Sequence, residues 1–336
     1  MVIMVNPRLS ALKRFGSPAL RLAISAALLY WLTSMADMPK LLTQLTRLSL
    51  PVFFTAVMLH VLSFMLGGLR WWLLLKNTDN NARLSVLLPA YYMGAFFNYL
   101  LPTGVGGDAV RTVLLSKQGM SLPLLIASAV MDRFMGLLGV VLLIFVGIPF
   151  LPASLLAQGG YWMGGTGFLL IGLLFGVALA ISWLGSNSMR PTLERFSHPR
   201  VRGMYRIGEI CQAFLSAPGV VSTALLLTLL NQVLIISVYI ILGTHLGIAL
   251  EATVYFAIIP LVFLAANMPV SVGGLGVREG VLVTLLMMSG IEQEPALALS
   301  LLYLLILYTS LLPGLCVTVM KLFFPWIKPQ RIAHEP

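Results

Sequence analysis

The sequence predicts an all-α polytopic membrane protein with about six spanning helices and two broken, re-entrant helical hairpins arranged as an inverted repeat. Three observations carry that expectation. First, 59% of the 336 residues are hydrophobic and only 10% are charged, so a soluble fold of this length could not clothe itself in polar surface. Second, apolar runs long enough to cross a hydrocarbon core of about 30 Å recur from near Pro18 to near Phe324 and leave no room for a globular catalytic domain. Third, two of these runs are interrupted in mid-course by proline and paired glycines.

Spanning helices are expected at about residues 18–36, 50–75, 122–150, 163–184, 218–244 and 296–323. The first follows Arg8, Lys13, Arg14 and Arg21 and reads as a retained helix rather than a cleaved signal. Residues 38–49 place Leu41, Leu42, Leu45 and Leu48 opposite Lys40, Gln44 and Arg47, the pattern of an interfacial helix. The interrupted stretches are about 85–117 and 253–290, and broken helices or re-entrant hairpins explain them. Glycines at four-residue spacing, Gly160 with Gly164 and Gly172 with Gly176, suit close helix packing. Residues 185–217 form a basic loop with Arg190, Arg195, Arg200, Arg202 and Arg206, and apolar Val201, Met204, Ile207, Cys211 and Phe214 at helical spacing. Such a segment lies along the inner leaflet, drawn to anionic lipids.

Charge placement sets the orientation. With both termini cytoplasmic, all but four of the 21 Lys and Arg residues fall at or near cytoplasmic ends. The four are Lys40 and Arg47 in outer loops, Arg133 inside a span and Arg278 inside the second interrupted stretch. On this topology the first hairpin starts from the cytoplasm and the second from outside. One membrane domain, 1–336, then holds a first repeat over 50–150 and a second over 218–323. The net charge of +10 is topological, since no polar domain or aromatic interleaving points to nucleic acid.

The two interruptions share a motif. PTGVGGDAVR runs from Pro102 to Arg111 and PVSVGGLGVR from Pro269 to Arg278, both matching P-x-x-x-G-G-x-x-x-R at an offset of 167 residues. Asn98 and Asn267 precede them. Proline ends a helix, and the pairs Gly106–Gly107 and Gly273–Gly274 permit close approach of backbone to a ligand. A helix restarting just after Gly107 or Gly274 would point its first amides into the break and place Arg111 or Arg278 on its first turn, which suits a phosphate or carboxylate.

A guanidinium held in the bilayer without a partner costs at least about 2.5 kcal/mol, so something anionic must meet each arginine. Asp108, three residues before Arg111, can pair with it on one helical face. Glu279 is adjacent to Arg278, and neighbours on a helix do not face each other, so Arg278 is expected to meet a ligand or a distant partner. Asp132 and Arg133 form a second intramembrane pair. Asp132 could neutralise Arg111 or Arg278, bind a driving proton, or form a purely structural bridge. His60 reads as a satisfied core histidine, Arg70 as an interfacial anchor, and Cys211 and Cys316 as ordinary small apolar residues, with no metal spacing and no cofactor motif.

GLRWWLLLK around Arg70, NYLLPTGVGGDAVR from Asn98 to Arg111, the Asp132–Arg133 pair and PVSVGGLGVREG ending at Gly280 together resemble the membrane flippase domain of lysylphosphatidylglycerol synthases. The resemblance runs over nearly the whole chain. It implies a lipid translocator of a bacterial or archaeal cytoplasmic membrane, with two hairpins meeting around a charged cavity. Its cargo would be an aminoacylated or anionic phospholipid, or a polyprenyl-phosphate lipid. The sequence ends at Pro336 without the aminoacyl-transferase domain of two-domain members, so lysyl-phosphatidylglycerol is not assumed as cargo. Candidate substrate-binding residues are therefore Arg111, Arg278, Gly106, Gly107, Gly273, Gly274, Asp108, Asp132, Glu279, Arg133, Asn98 and Asn267. An enzyme is not expected, because Thr103 and Ser271 have no base beside them in sequence. An accessory subunit of a lipid-modifying pathway, or a membrane-embedded lipid transferase, stays open as the alternative, and the oligomeric state is open.

Overall fold

The computed structural model describes residues 7–78, 82–102, 105–155, 176, 199–268 and 270–323. Among these the regular structure is entirely helical. The first half contains α1 (Pro7–Ser34), α2 (Met38–Thr46), α3 (Leu50–Lys76), α4 (Leu84–Leu100), α5 (Gly106–Ser116) and α6 (Leu122–Gly147), the last running into a single 3₁₀ turn at Ile148–Phe150. The second contains α7 (Pro199–Leu215), α8 (Pro218–His245), α9 (Ala252–Ala266), α10 (Val277–Met288), α11 (Gln293–Ser310) and α12 (Leu312–Phe323).

Among the described residues, four helical stretches are long and apolar enough to cross a membrane: Leu50–Lys76, Leu122–Phe150, Pro218–His245 and Gln293–Lys321. A fifth forms only if Pro18–Ser34 and Met38–Thr46 are taken together, and these two are bent by 98°. That bend follows from Asp37, whose side chain accepts from the Lys40 amide and caps a new helix with Pro39 in its first turn. Leu41 is buried, and Leu45 and Leu48 pack on the second-half core, but Leu42 turns outward and is 54% exposed. The anticipated α2 face is therefore narrower than its leucines suggested. The span expected at 163–184, apart from Gly176, and the first three of the four spaced glycines lie outside the described residues.

Proline opens α3, α6 and α8 as well, at positions where its missing N–H has no intrahelical partner to lose. The long helices α3 and α8 pack along each other, and the Asn231 side-chain amide donates to the Ser63 carbonyl at 2.5 Å. Around this pair the two halves exchange arms. Helix α4 packs on α12, where Gly314 admits the Tyr92 backbone, and α9 packs on α6, where a Cβ at Gly147 would stand 2.6 Å from Ala257 Cα. Each short amphipathic helix likewise crosses over: α2 lies on α11 and α7 on α6. On α7, Cys211 and Phe214 are buried and Ile207 packs beside them. The Cys211 thiol lies 3.9 Å from the Ala127 carbonyl, and burial pushes it up to about 11.

Helices α4 and α5 meet backbone to backbone. A Cβ at Gly94 would stand 3.0 Å from the Gly107 carbonyl, and one at Gly107 would run into the Gly94 carbonyl and come within 2.7 Å of Asn98. Backbone cannot yield as a side-chain tip can. Gly107→Ala should therefore lower unfolding stability by about 3 kcal/mol, read as a drop in the thermal midpoint of the detergent-solubilised protein. An unchanged midpoint would contradict this packing.

Candidate functional site

The first break lies between α4 and α5. Helix α5 starts at Gly106, earlier than the sequence suggested, which moves Arg111 from its first turn to its second. Asn98 reaches across from the end of α4, and its Oδ1 accepts the Gly107 amide at 2.9 Å. This amide is thus satisfied by the protein itself, and Asn98 acts as a cap.

Arg111 is buried over aromatic rings, its guanidinium carbon 4.2 Å from the Trp71 ring centroid and 5.1 Å from that of Tyr91. Its Nη2 lies 3.0 Å from Asp108 Oδ1 and 3.2 Å from Asp132 Oδ2. Its Nε is buried with no hydrogen-bond partner among the described residues. On its other side Asp132 takes Arg70, with Nε donating to Oδ1 at 2.8 Å and Nη2 at 2.7 Å, while Arg70 Nη1 donates to Thr228 Oγ1 at 2.9 Å. Asp108 in turn accepts from Arg133 Nε at 2.5 Å, and the Arg133 side chain is 44% exposed. The result is an alternating row, Arg70–Asp132–Arg111–Asp108–Arg133, with three cations and two carboxylates.

Arg70 is therefore no interfacial anchor. It stands more than a turn inside the end of α3, buried against the first residue of the Asp132–Arg133 pair, and that depth was the signal available in the sequence. Of the choices open for Asp132, the structure pairs it with Arg111 and adds Arg70.

The second break differs. Gly273, Gly274 and Gly276 take φ of +56°, +79° and +84°, the left-handed region that side chains resist, so the chain turns three times before α10 starts at Val277. Glu279 is completely buried and folds back to accept the Gly276 amide with Oε2 at 2.5 Å. Its Oε1 meets Arg278 Nε at 3.0 Å and Nη2 at 2.5 Å. The expectation that adjacent residues cannot pair fails here because Glu279 bends over the open helix end as a cap, which brings its carboxylate back to Arg278. Arg278 also lies over the Tyr303 ring at 5.3 Å, and Tyr303 stacks on Tyr239 at 4.0 Å. Asn267 stays out of the break, donating to the Phe263 carbonyl of its own helix at 2.8 Å. His60 is satisfied as expected, between Tyr303 Oη at 3.1 Å and Ser310 Oγ at 2.8 Å.

The tips of the two breaks touch. A Cβ at Gly273 would stand 3.1 Å from Tyr99 Cα. Helix α1 ties both: Arg21 Nη1 donates to the Pro102 carbonyl at 3.0 Å, and Ser25 Oγ accepts the Val272 amide at 3.1 Å. The family model described as Lysylphosphatidylglycerol synthase TM region matches residues 19–314. The chain belongs to this family. No curated protein matches it. The family match takes in both breaks, all five members of the charged row and the Arg278–Glu279 pair. It marks the chain as a membrane protein linked to lipid modification or translocation.

Among the described residues no cluster of His, Cys, Asp or Glu could hold a metal. What the arrangement can do chemically is hold an anion beside guanidinium groups that protein carboxylates already occupy. Removing the central carboxylate tests the row: Asp132→Asn leaves Arg70 and Arg111 facing each other and should cost about 3–5 kcal/mol of stability. Denaturant unfolding in micelles reads this directly, and a wild-type midpoint would show the row to be energetically idle.

Proposed function

We propose that the chain translocates a phosphate-bearing lipid between leaflets, and that the two breaks are re-entrant hairpins of an inverted repeat. The observation that carries the reading is the meeting, tip to tip, of two helix breaks that each bring a buried arginine into the membrane. Burying these charges is expensive unless they serve something.

Reciprocal packing supports the repeat. The α4–α12 contact answers the α9–α6 contact, α2 on α11 answers α7 on α6, and α3 with α8 lies on the common axis. In both halves a tyrosine of the first arm rests on a glycine of the preceding span, Tyr91 on Gly67 and Tyr255 on Gly243. Two such halves of opposite orientation can exchange conformations and open the shared site to each side in turn.

In this reading the lipid phosphate displaces carboxylates from the guanidinium groups and is passed between them, as the Arg111 Nε without a partner invites. Bidentate binding of phosphate by arginine makes that exchange favourable. The amides contribute less than the sequence implied, since Gly107 and Gly276 already have partners. No chemistry on the lipid is proposed: Ser271 Oγ is buried with no base against it among the described residues, and His60 is held by Tyr303 and Ser310. The cargo class is anionic or aminoacylated phospholipid or polyprenyl phosphate, in a bacterial or archaeal cytoplasmic membrane with both termini inside.

The test is leaflet exchange in vesicles containing purified protein and a panel of fluorescent lipids. Arg278→Gln combined with Glu279→Gln removes both charges together, sparing the cost of an orphan carboxylate, and should reduce flux at least about tenfold in a protein that still folds. Undiminished flux in the double variant would exclude the second break from the path. Absence of flux from wild type for every lipid would favour an accessory role in a lipid-modifying pathway.

A further inference from the structure

Helix α1 meets the two breaks with one face. Arg21, Ser25, Leu28 and Leu32 follow one another at intervals of four, three and four residues, which stacks them on one side of the helix. The apolar half of that face is seated on α10: a Cβ at Gly276 would lie 2.7 Å from Leu28 Cβ, and one at Gly280 would lie 3.9 Å from Leu32 Cδ1. The polar half crosses the tips. Ser25 is buried and accepts the Val272 amide of the second break at 3.1 Å, and one turn earlier Arg21 Nη1 donates to the Pro102 carbonyl of the first at 3.0 Å.

That bond asks little of a guanidinium. A neutral donor satisfies a carbonyl equally well, as Asn231 does for Ser63, without the cost of a charge among apolar neighbours. Arg21 is half-buried and stands between Leu20 and Leu22, which are 61% and 55% exposed. It also differs from the other arginines at the breaks. Arg70, Arg111, Arg133 and Arg278 each meet a carboxylate, whereas among the described residues Arg21 meets only the Pro102 carbonyl. The motif residues outside the described set, Thr103, Gly104 and Pro269, carry no charge.

The described residues around the tips thus bring five guanidinium groups against three carboxylates, Asp108, Asp132 and Glu279. Such an excess is complementary to an anion. A phosphate reaching Arg111 or Arg278 has to displace a carboxylate, but one reaching Arg21 competes only with a neutral carbonyl, which holds a guanidinium less strongly. Ser271, next to Val272, adds a hydroxyl that is buried and without a partner among the described residues.

We propose that Arg21 is the first residue to bind the headgroup phosphate of a glycerophospholipid. Its Nη1 keeps the Pro102 carbonyl, while Nε and Nη2 take two phosphate oxygens in parallel, so the lipid docks where α1 crosses the tips before any carboxylate has to leave Arg111 or Arg278. This rests on the translocator reading and names the residue at which cargo is recognised.

The experiment measures binding of a fluorescent phosphatidylglycerol to full-length protein in zwitterionic micelles, with a diacylglycerol of the same chains as the comparison without phosphate, and leaflet exchange of both lipids in vesicles. Two variants separate charge from clamp. Arg21→Gln retains an N–H for the Pro102 carbonyl without the charge, and Arg21→Lys retains the charge without the fork. Arg21→Gln should weaken phosphatidylglycerol binding about tenfold and Arg21→Lys by less, and neither should move diacylglycerol binding or the thermal midpoint. Undiminished binding in Arg21→Gln, an equal loss for the two lipids, or a loss that follows a lowered midpoint in both variants would each overturn the site, the last two marking Arg21 as a structural clamp. Displacement of the bound lipid by soluble glycerol phosphate would overturn the lipid as its ligand. If Arg21 proves indifferent while wild type moves lipid, the translocator reading stands; if binding depends on Arg21 while wild type moves none, that reading falls and the site remains.

Discussion

A backbone that leaves the helix inside hydrocarbon must find partners for its amides and carbonyls, because the bilayer core supplies none. With the two breaks read as re-entrant, as proposed, the rest of the structure depends on that constraint. At the first break Asn98 takes the Gly107 amide; at the second, Glu279 takes that of Gly276; and α1 crosses both tips with Arg21 and Ser25. The glycine contacts between α4 and α5, and between Gly273 and Tyr99, are what bring these partners within reach.

The two halves meet the same constraint with different chemistry. The first spreads its charge over three helices, α3, α5 and α6, in a row that ends at a partly exposed Arg133. The second closes its charge into one adjacent pair, sealed under Tyr303 and Tyr239. On the proposed reading, an anion meets the partly exposed Arg133 of the first half before the sealed pair of the second. Buried ion pairs of this kind contribute little net stability against apolar replacements, which agrees with the binding role proposed for them.

Much of the architecture was legible in the sequence because proline and glycine punctuate it. The interrupted stretches expected at 85–117 and 253–290 appear as Leu84–Ser116 and Ala252–Met288, and the four long spans among the described residues lie within a few residues of their expected limits. The site was less legible, for reasons that are tertiary. Nothing local tells that Arg70 turns inward to Asp132, which is 62 residues away in sequence. The rule that adjacent residues diverge describes the interior of a helix, whereas Glu279 sits where the first turn is open. Asn98 stands four residues before Pro102 and Asn267 only two before Pro269, and only Asn98 reaches its break, the other being spent on its own helix end.

The central claim is that the lipid headgroup passes where the two tips touch. A disulfide across that contact tests it most directly: Tyr99→Cys with Gly273→Cys, in a background with Cys211 and Cys316 replaced, the two native cysteines being free. The left-handed backbone at 273 makes a side chain there cost about 1–3 kcal/mol, and the reduced protein serves as its own control. Flux that stops on oxidation and returns on reduction is the predicted result. Full flux through a protein whose tips are demonstrably crosslinked would contradict the account.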